Sequence, residues 1–302
     1  MGGLSAMTPD LDLFIRSGTD PLLAIEYHRH FTHSLVFIPI GALICAALLY
    51  PLFKRQIAFG AAYGFCLLGF ASHALLDAFT SYGTLLLWPF SHERIAWDLI
   101  SVIDPLFTVP LIAMVFLGAR RRRPVFAMLG IGWCVCYLGI GYFQHQRAGV
   151  AAGDLAASRG HTPALIETKP SLANLLLWKT IYVYQGQYYL DAVRVGTHVR
   201  VFDGEVRPVL DVQRDFPWLD DSSQQARDIE RFRQFADGYL SLDSANPDLI
   251  VDLRYSLVPN RGSGLWGIEL DADAAPDAHA AYVTMRNRSF AEGRELLRML
   301  FR

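Results

Sequence analysis

The chain has 302 residues, 52% of them hydrophobic and only 19% charged, with a mean hydropathy of +0.24. Soluble proteins carry about 25% charged residues, so an ordinary soluble globule is excluded. The formal net charge of −2 provides no positive field with which to attract nucleic acid.

In chain order, Met1-Gly2-Gly3-Leu4 has neither a basic n-region nor an apolar h-region, and no signal peptide is expected. Pro9-Asp10-Leu11-Asp12 follows. Two carboxylates one residue apart can turn hard oxygen ligands toward one ion, although an Asp here also reads as a helix cap or turn residue. The stretch His28-Arg29-His30-Phe31-Thr32-His33-Ser34 then gathers three of the nine histidines. If a helix starts here, His30 and His33 share a face. His28 and His33 are five apart, and a turn must bring them together.

Four apolar segments follow that can each cross a bilayer, which needs about 20 residues. They are Ser34–Phe53, Ile57–Leu76, Leu99–Ala119 and Val125–Phe143, and only the third holds a charge, Asp104. Cys45, Cys66, Cys134 and Cys136 all lie within them and read as buried thiols. Lys54-Arg55 and Arg120–Arg123 fall in the first and third connections, which places both on the cytoplasmic side. The N-terminal segment, the connection from Thr80 to Asp98 and everything after Phe143 then face the periplasm. Arg120–Arg123 reads as a topology signal rather than a nucleic-acid or lipid site.

His73 and Asp77, at the end of the second span, are i, i+4 and leave one helix face. They read as a ligand pair or as a hydrogen-bonded pair, with Thr80 and Ser81 as supporting donors. In the next loop, Trp88 and Phe90 suit an interfacial belt or a pocket wall, His92 is a weaker ligand candidate, and Arg94 can clamp an anion. Asp104, followed by Pro105, reads as a ligand, a partner to a ligand His, or a counter-ion to Arg94. With four spans, all these residues fall on one membrane face.

Residues 150–302 read as soluble protein. Gln144–Arg159 continues as a helix leaving the membrane. Thr180–Val201 alternates as a hairpin about Gln185-Gly186, and Ser222–Tyr239 is helical. Leu249–Tyr255, Gly264–Leu270 and Ala281–Arg286 read as strands, and Ser289–Phe301 as a helix. The expected architecture is mainly α: a four-span transmembrane helix bundle over 1–148, then a small soluble α+β domain over 149–302.

These residues carry a resemblance. Pro9-Asp10-Leu11-Asp12, His28-Arg29, Phe31-Thr32-His33-Ser34, His73, Leu76-Asp77, Thr80, Gly83, Trp88-Pro89-Phe90 and Asp104-Pro105 resemble the bacterial membrane-bound metal-dependent hydrolases, which include LexA-regulated inner-membrane members. Arg231-Phe232, Asp237-Gly238-Tyr239, Asp252-Leu253-Arg254-Tyr255-Ser256 and Leu265-Trp266-Gly267-Ile268 resemble members with an extra domain, and the likeness covers nearly the whole chain. It implies a helical fold distantly similar to zinc-dependent phospholipase C and single-strand nucleases. It also implies Asp10, Asp12, His28, His33, His73 and Asp77 as ligands of one to three divalent ions, zinc by preference. Members begin with a further apolar helix bearing a Thr-His pair, and Gly2–Met7 resembles its tail. The resemblance therefore implies a start placed too far downstream and one missing ligand, for which His30 is a candidate substitute.

The expectation is an inner-membrane hydrolase in which metal-activated water attacks a phosphoester or lipid-like substrate at the periplasmic face. Arg94 or Arg29 would steady the anion, with Asp104 a further catalytic candidate. An ion transporter would line a path with polar groups, which the apolar cytoplasmic halves of the spans oppose. A non-catalytic scaffold would act through its C-terminal domain on a protein partner that the sequence does not identify.

Overall fold

The structure is a computed structural model that describes residues 1–285 and 290–301. Helix α1 (Gly2–Ala6) leads to a 3-10 turn, Pro9–Phe14, then to α2 (Leu23–Tyr27) and a second 3-10 turn, Phe31–His33. Four apolar helices follow: α3 (Phe37–Phe53), α4 (Phe59–Ala78), α5 (Pro105–Arg121) and α6 (Val125–Ser158). Then come β1 (Ile166–Pro170), β2 (Leu177–Tyr184), β3 (Gln187–Val195), β4 (Val199–Pro208), α7 (Val212–Asp215), α8 (Gln224–Phe235), β5 (Leu240–Leu242), β6 (Leu249–Asp252), β7 (Trp266–Glu269), β8 (Ala281–Thr284) and α9 (Phe290–Phe301). Arg286 and Ser289, which bound the last strand and helix expected from sequence, lie outside the described residues.

Among the described residues, two helices are long and apolar enough to cross a membrane, α4 with 20 residues and α6 with 34. A third span exists if Leu23–His33 and Phe37–Phe53, bent by 86° at their break, count as one. Four were expected. The difference is one of length: α3 and α5 have 17 residues each, about 25 Å of helix against a hydrocarbon core of about 30 Å.

The chain forms two compact units, and neither is continuous in sequence. The first holds 1–97, 219–238 and 272–282. Its core packs Ile38, Ala42, Cys45 and Ala46 of α3 on Cys66, Phe70 and Ala74 of α4. Helix α1 lies on α4 at Gly69, where a Cβ would stand 2.1 Å from the Gly2 carbonyl oxygen. Here α8 belongs as well: its Asp228 is fully buried and accepts from His279 Nδ1 at 2.8 Å and from the Ala280 amide.

The second unit holds 98–218, 239–271 and 283–302. It contains α5 packed on α6, the antiparallel meander β1-β2-β3-β4, and the antiparallel strands β5-β6-β7 of a second sheet. The expected hairpin is β2–β3. Gln185 and Gly186 both take positive φ, 50° and 74°, as a two-residue turn matching strand twist requires. Between Leu190 and Ala192 the register shifts. Asp191, at that irregularity, receives the Gly204 amide and a forked pair from Arg159. Trp178, Val193 and Val195 bury against Ala148 and Ala151 of α6, so the helix expected to leave the membrane continues unbroken into the sheet core.

Candidate metal centre

Local chemistry bends the chain around the histidines. His28 is the extended residue that ends α2. Arg29 takes φ +60°, a left-handed conformation that costs a non-glycine residue on the order of 1 kcal/mol or more. Its backbone is held there from both sides. The amide donates to Asp12 Oδ2 at 2.9 Å, and the carbonyl accepts from Leu85 N at 3.0 Å. The chain then tightens into the second 3-10 turn, which buries His33 completely. His30 and His33 thus do not share the face of a regular helix. The His30 ring packs among Tyr27, Phe31 and Trp88 and joins no ligand group, which leaves the proposed substitute ligand without geometric support.

The six expected ligands come together in two overlapping groups, Asp10-His33-His73-Asp77 and Asp10-Asp12-His28. In the first, His33 Nε2 and His73 Nε2 are 3.1 Å apart. Asp10 Oδ1 lies 3.6 and 3.4 Å from these nitrogens, and Asp77 Oδ2 lies 3.4 and 3.6 Å from them. A tetrahedral ion with bonds of about 2.0–2.1 Å spaces its ligand atoms about 3.3–3.4 Å apart. Without an ion, Asp77 Oδ2 is poorly served. Arg29 Nε is 3.0 Å away, but its N–H does not point at the oxygen, and both atoms are buried without a hydrogen bond. The donor set and this orphaned oxygen fit a divalent cation.

Asp12 belongs to the second group and is also tied to the backbone around it. Its carboxylate is fully buried and accepts from the Arg29 amide, from Thr32 Oγ1 at 2.7 Å and from His28 Nδ1 at 3.0 Å. Thr32 has one hydroxyl proton and gives it to Asp12. At the 3.0 Å contact between Thr32 Oγ1 and His33 Nδ1, the nitrogen must therefore donate. With Nδ1 so engaged, His33 Nε2 faces His73, Asp10 and Asp77. Burial alone would lower the imidazole, but Asp10, Asp12 and Asp77 outweigh it and push it up to about 10. Burial alone would raise the Asp12 carboxyl, but His28, His33 and Thr32 outweigh it and hold the group well below the usual range. His33 and His73 hold Asp10 low as well. Both carboxylates are anionic across the working pH range.

The remaining expected residues have other employment. Arg29 Nη1 donates to Thr80 Oγ1 at 3.1 Å, and its guanidinium lies 5.1 Å over the Tyr82 ring. Arg94 does not act as a free clamp. Its terminal nitrogens donate to the carbonyls of Ile25, Glu26, His28 and Gly83, and its guanidinium stacks on Phe235. Gly83, at φ +77°, has room for a Cβ only 3.0 Å from Arg94 Cβ. Asp104 joins neither ligand group. It lies in the second unit, caps α5 by accepting from the Leu106 and Phe107 amides, and takes the Tyr137 hydroxyl at 2.7 Å.

Sequence reasoning missed the support from α8. Arg231 forks onto Glu26 at 2.6 and 2.8 Å and also reaches Asp20 and Asp228. Phe235 packs on Tyr82, which packs on His28. Nothing in the local pattern links residues some two hundred positions apart.

The family model described as "YdjM inner membrane protein" matches residues 1–148. The Bacillus subtilis (strain 168) protein described as "Uncharacterized protein YfhP" is 32% identical over 126 residues, covering 42% of this chain and 38% of that protein. The chain thus spans well under half of that relative. No solved structure matches the chain. The inner-membrane family match and the apolar helices support an inner-membrane location.

Proposed function

We propose that this protein is an inner-membrane metal-dependent hydrolase whose ion is held by Asp10, His33, His73 and Asp77 at the periplasmic face. The observation that carries the reading is the convergence of four donor atoms at ligand-to-ligand spacing, one of them the buried, unbonded Asp77 Oδ2. Zinc suits a two-imidazole, two-carboxylate set; when bound it supplies Lewis acidity and lowers the pKa of water toward neutrality. Asp12 and Thr32 orient His33. Asp10, about half exposed, and His28 form the open side, where a second ion or the substrate would enter. Arg29 is the cation built into the wall. It balances Asp77 and is suited to an anionic oxygen, which favours a phosphoester or lipid-like substrate.

The periplasmic assignment rests on the basic connections Lys54-Arg55 and Arg120–Arg123, with α3 and α5 taken as short spans beside α4 and α6. The test is metal analysis of detergent-purified protein, paired with hydrolysis of an aryl phosphodiester. Wild type should hold about one zinc or more per chain, and His73→Ala and Asp77→Asn should each lose most of it together with at least about 100-fold of any activity. Unchanged metal content in both variants would remove the site.

A further inference from the structure

A second feature has no part in the metal centre. Helices α5 and α6 are joined by a tight turn at Arg122-Arg123-Pro124, and beside that turn they leave an open groove of about 700 Å³. Leu111, Met114 and Val115 of α5 form one wall, and Phe126, Ala127 and Ile131 of α6 form the other. Gly118 and Gly130 keep it open. A volume of roughly 300–1,000 Å³ is that of a cleft for a ligand of a few dozen heavy atoms. Its walls are apolar and its mouth is not: Arg122 and Arg123 both line it.

The arginines at the mouth are unspent. Arg120, Arg121, Arg122 and Arg123 are all exposed, and none is in an ion pair among the described residues. Arg122 sits at φ +52° as the residue ending α5, a left-handed slot that glycine or asparagine fills at lower cost. The backbone therefore gives no reason for an arginine there. A topology signal needs positive charge near the turn, but it needs no cavity beneath that charge.

We propose that this groove is a binding site for an anionic phospholipid: an acyl chain lies between α5 and α6, and its phosphate is held by Arg122 and Arg123. One wall belongs to α6, a helix long and apolar enough to cross the membrane, and the other to the exposed apolar face of α5; the charge at the rim is complementary to a lipid phosphate. The site does not depend on the metal reading.

The experiment is native mass spectrometry of the full chain after exchange into nanodiscs of phosphatidylglycerol mixed equally with phosphatidylcholine. Wild type should retain phosphatidylglycerol with a preference on the order of tenfold. The double variant Arg122→Gln/Arg123→Gln keeps Lys54, Arg55, Arg120 and Arg121 as topology signals and should lose that preference. Ala127→Phe fills the groove and should lose the retained lipid while remaining monodisperse and keeping its metal content. Four results would overturn the proposal: equal retention of the two lipids by wild type, unchanged retention by Ala127→Phe, displacement by excess inorganic phosphate alone, or a second copy of the chain cross-linked through position 127.

Discussion

Asp12 shows how much one buried side chain can organise around itself. Its two oxygens collect three donors, and the Thr32 proton they take leaves His33 Nδ1 as a donor toward Thr32. Asp12→Asn keeps the shape but removes the charge and turns one acceptor into a donor, so that one of the three partners loses its acceptor. Zinc affinity, measured by chelator competition, should fall about 10–100-fold. An affinity within twofold of wild type would separate Asp12 from the site. Lys179, buried in β2, carries a different consequence. Burial, opposed by Asp252 and Glu205, pushes its amine down to about 7 from 10.5 in the unfolded chain. Nζ donates to Ser256 Oγ and to the Arg261 carbonyl, which suits the two protons of a neutral amine. Below about pH 7 both folded and unfolded states are protonated, and the fold bears the full cost of a buried charge. Between there and about pH 10 the unfolded chain holds the extra proton, and stability should rise with pH. Thermal melts of wild type and Lys179→Met should diverge across that window; parallel profiles would contradict the account.

Among the elements, α8 has the most consequential placement. It is amphipathic, capped by Ser223, and recognisable as a helix from its sequence alone. Which surface it would cover was not recognisable. Its apolar face buries Ile229, Phe232 and Phe235, while Arg231 meets two acids on the segment leading to His28. Bidentate geometry is what arginine supplies and lysine does not. Arg231→Ala should lower the melting temperature by a few degrees and weaken zinc binding about tenfold, and Arg231→Lys should restore only part of each. Equal metal affinity in Arg231→Ala would make α8 a neighbour of the site rather than its support. Arg94 teaches a related lesson. In sequence it is a cation beside a ligand loop, and in the fold its donors close that loop on itself.

For the molecule as a whole, labelling from outside the cell tests which way it faces. The basic connections predict an external N-terminal segment and internal turns. Single cysteines at Gly18 and Gln56, both exposed, separate the cases when challenged with an impermeant maleimide in spheroplasts. Gly18→Cys should label at once, and Gln56→Cys only after permeabilisation. The opposite pattern would move the site to the cytoplasm. Whether α3 crosses is read from the same labels. Each added crossing reverses accessibility, whereas a 17-residue helix that only dips into the bilayer does not.

Several features were legible in the sequence because they depend on near neighbours. Apolar runs with no charge gave the helices. The i, i+4 spacing gave the shared face of His73 and Asp77, and Gln185-Gly186 gave the hairpin turn. The six residues that form the two ligand groups were also visible as unusual chemistry beside apolar helices. Their distances were not, because the Arg29 left-handed bend and the 3-10 turn through His33 depend on contacts to Asp12 and Leu85. Tertiary structure alone decided that Asp12 is tied to the Arg29 amide and Thr32 while Asp77 faces Arg29 and two histidines, that Asp104 caps a helix, and that His30 is packed among aromatic rings. It also decided that a helix more than two hundred residues away would pair with Glu26. A side chain's chemistry is local, but its available lone pairs and charges are whatever its folded neighbours leave unused, and no spacing rule encodes those neighbours.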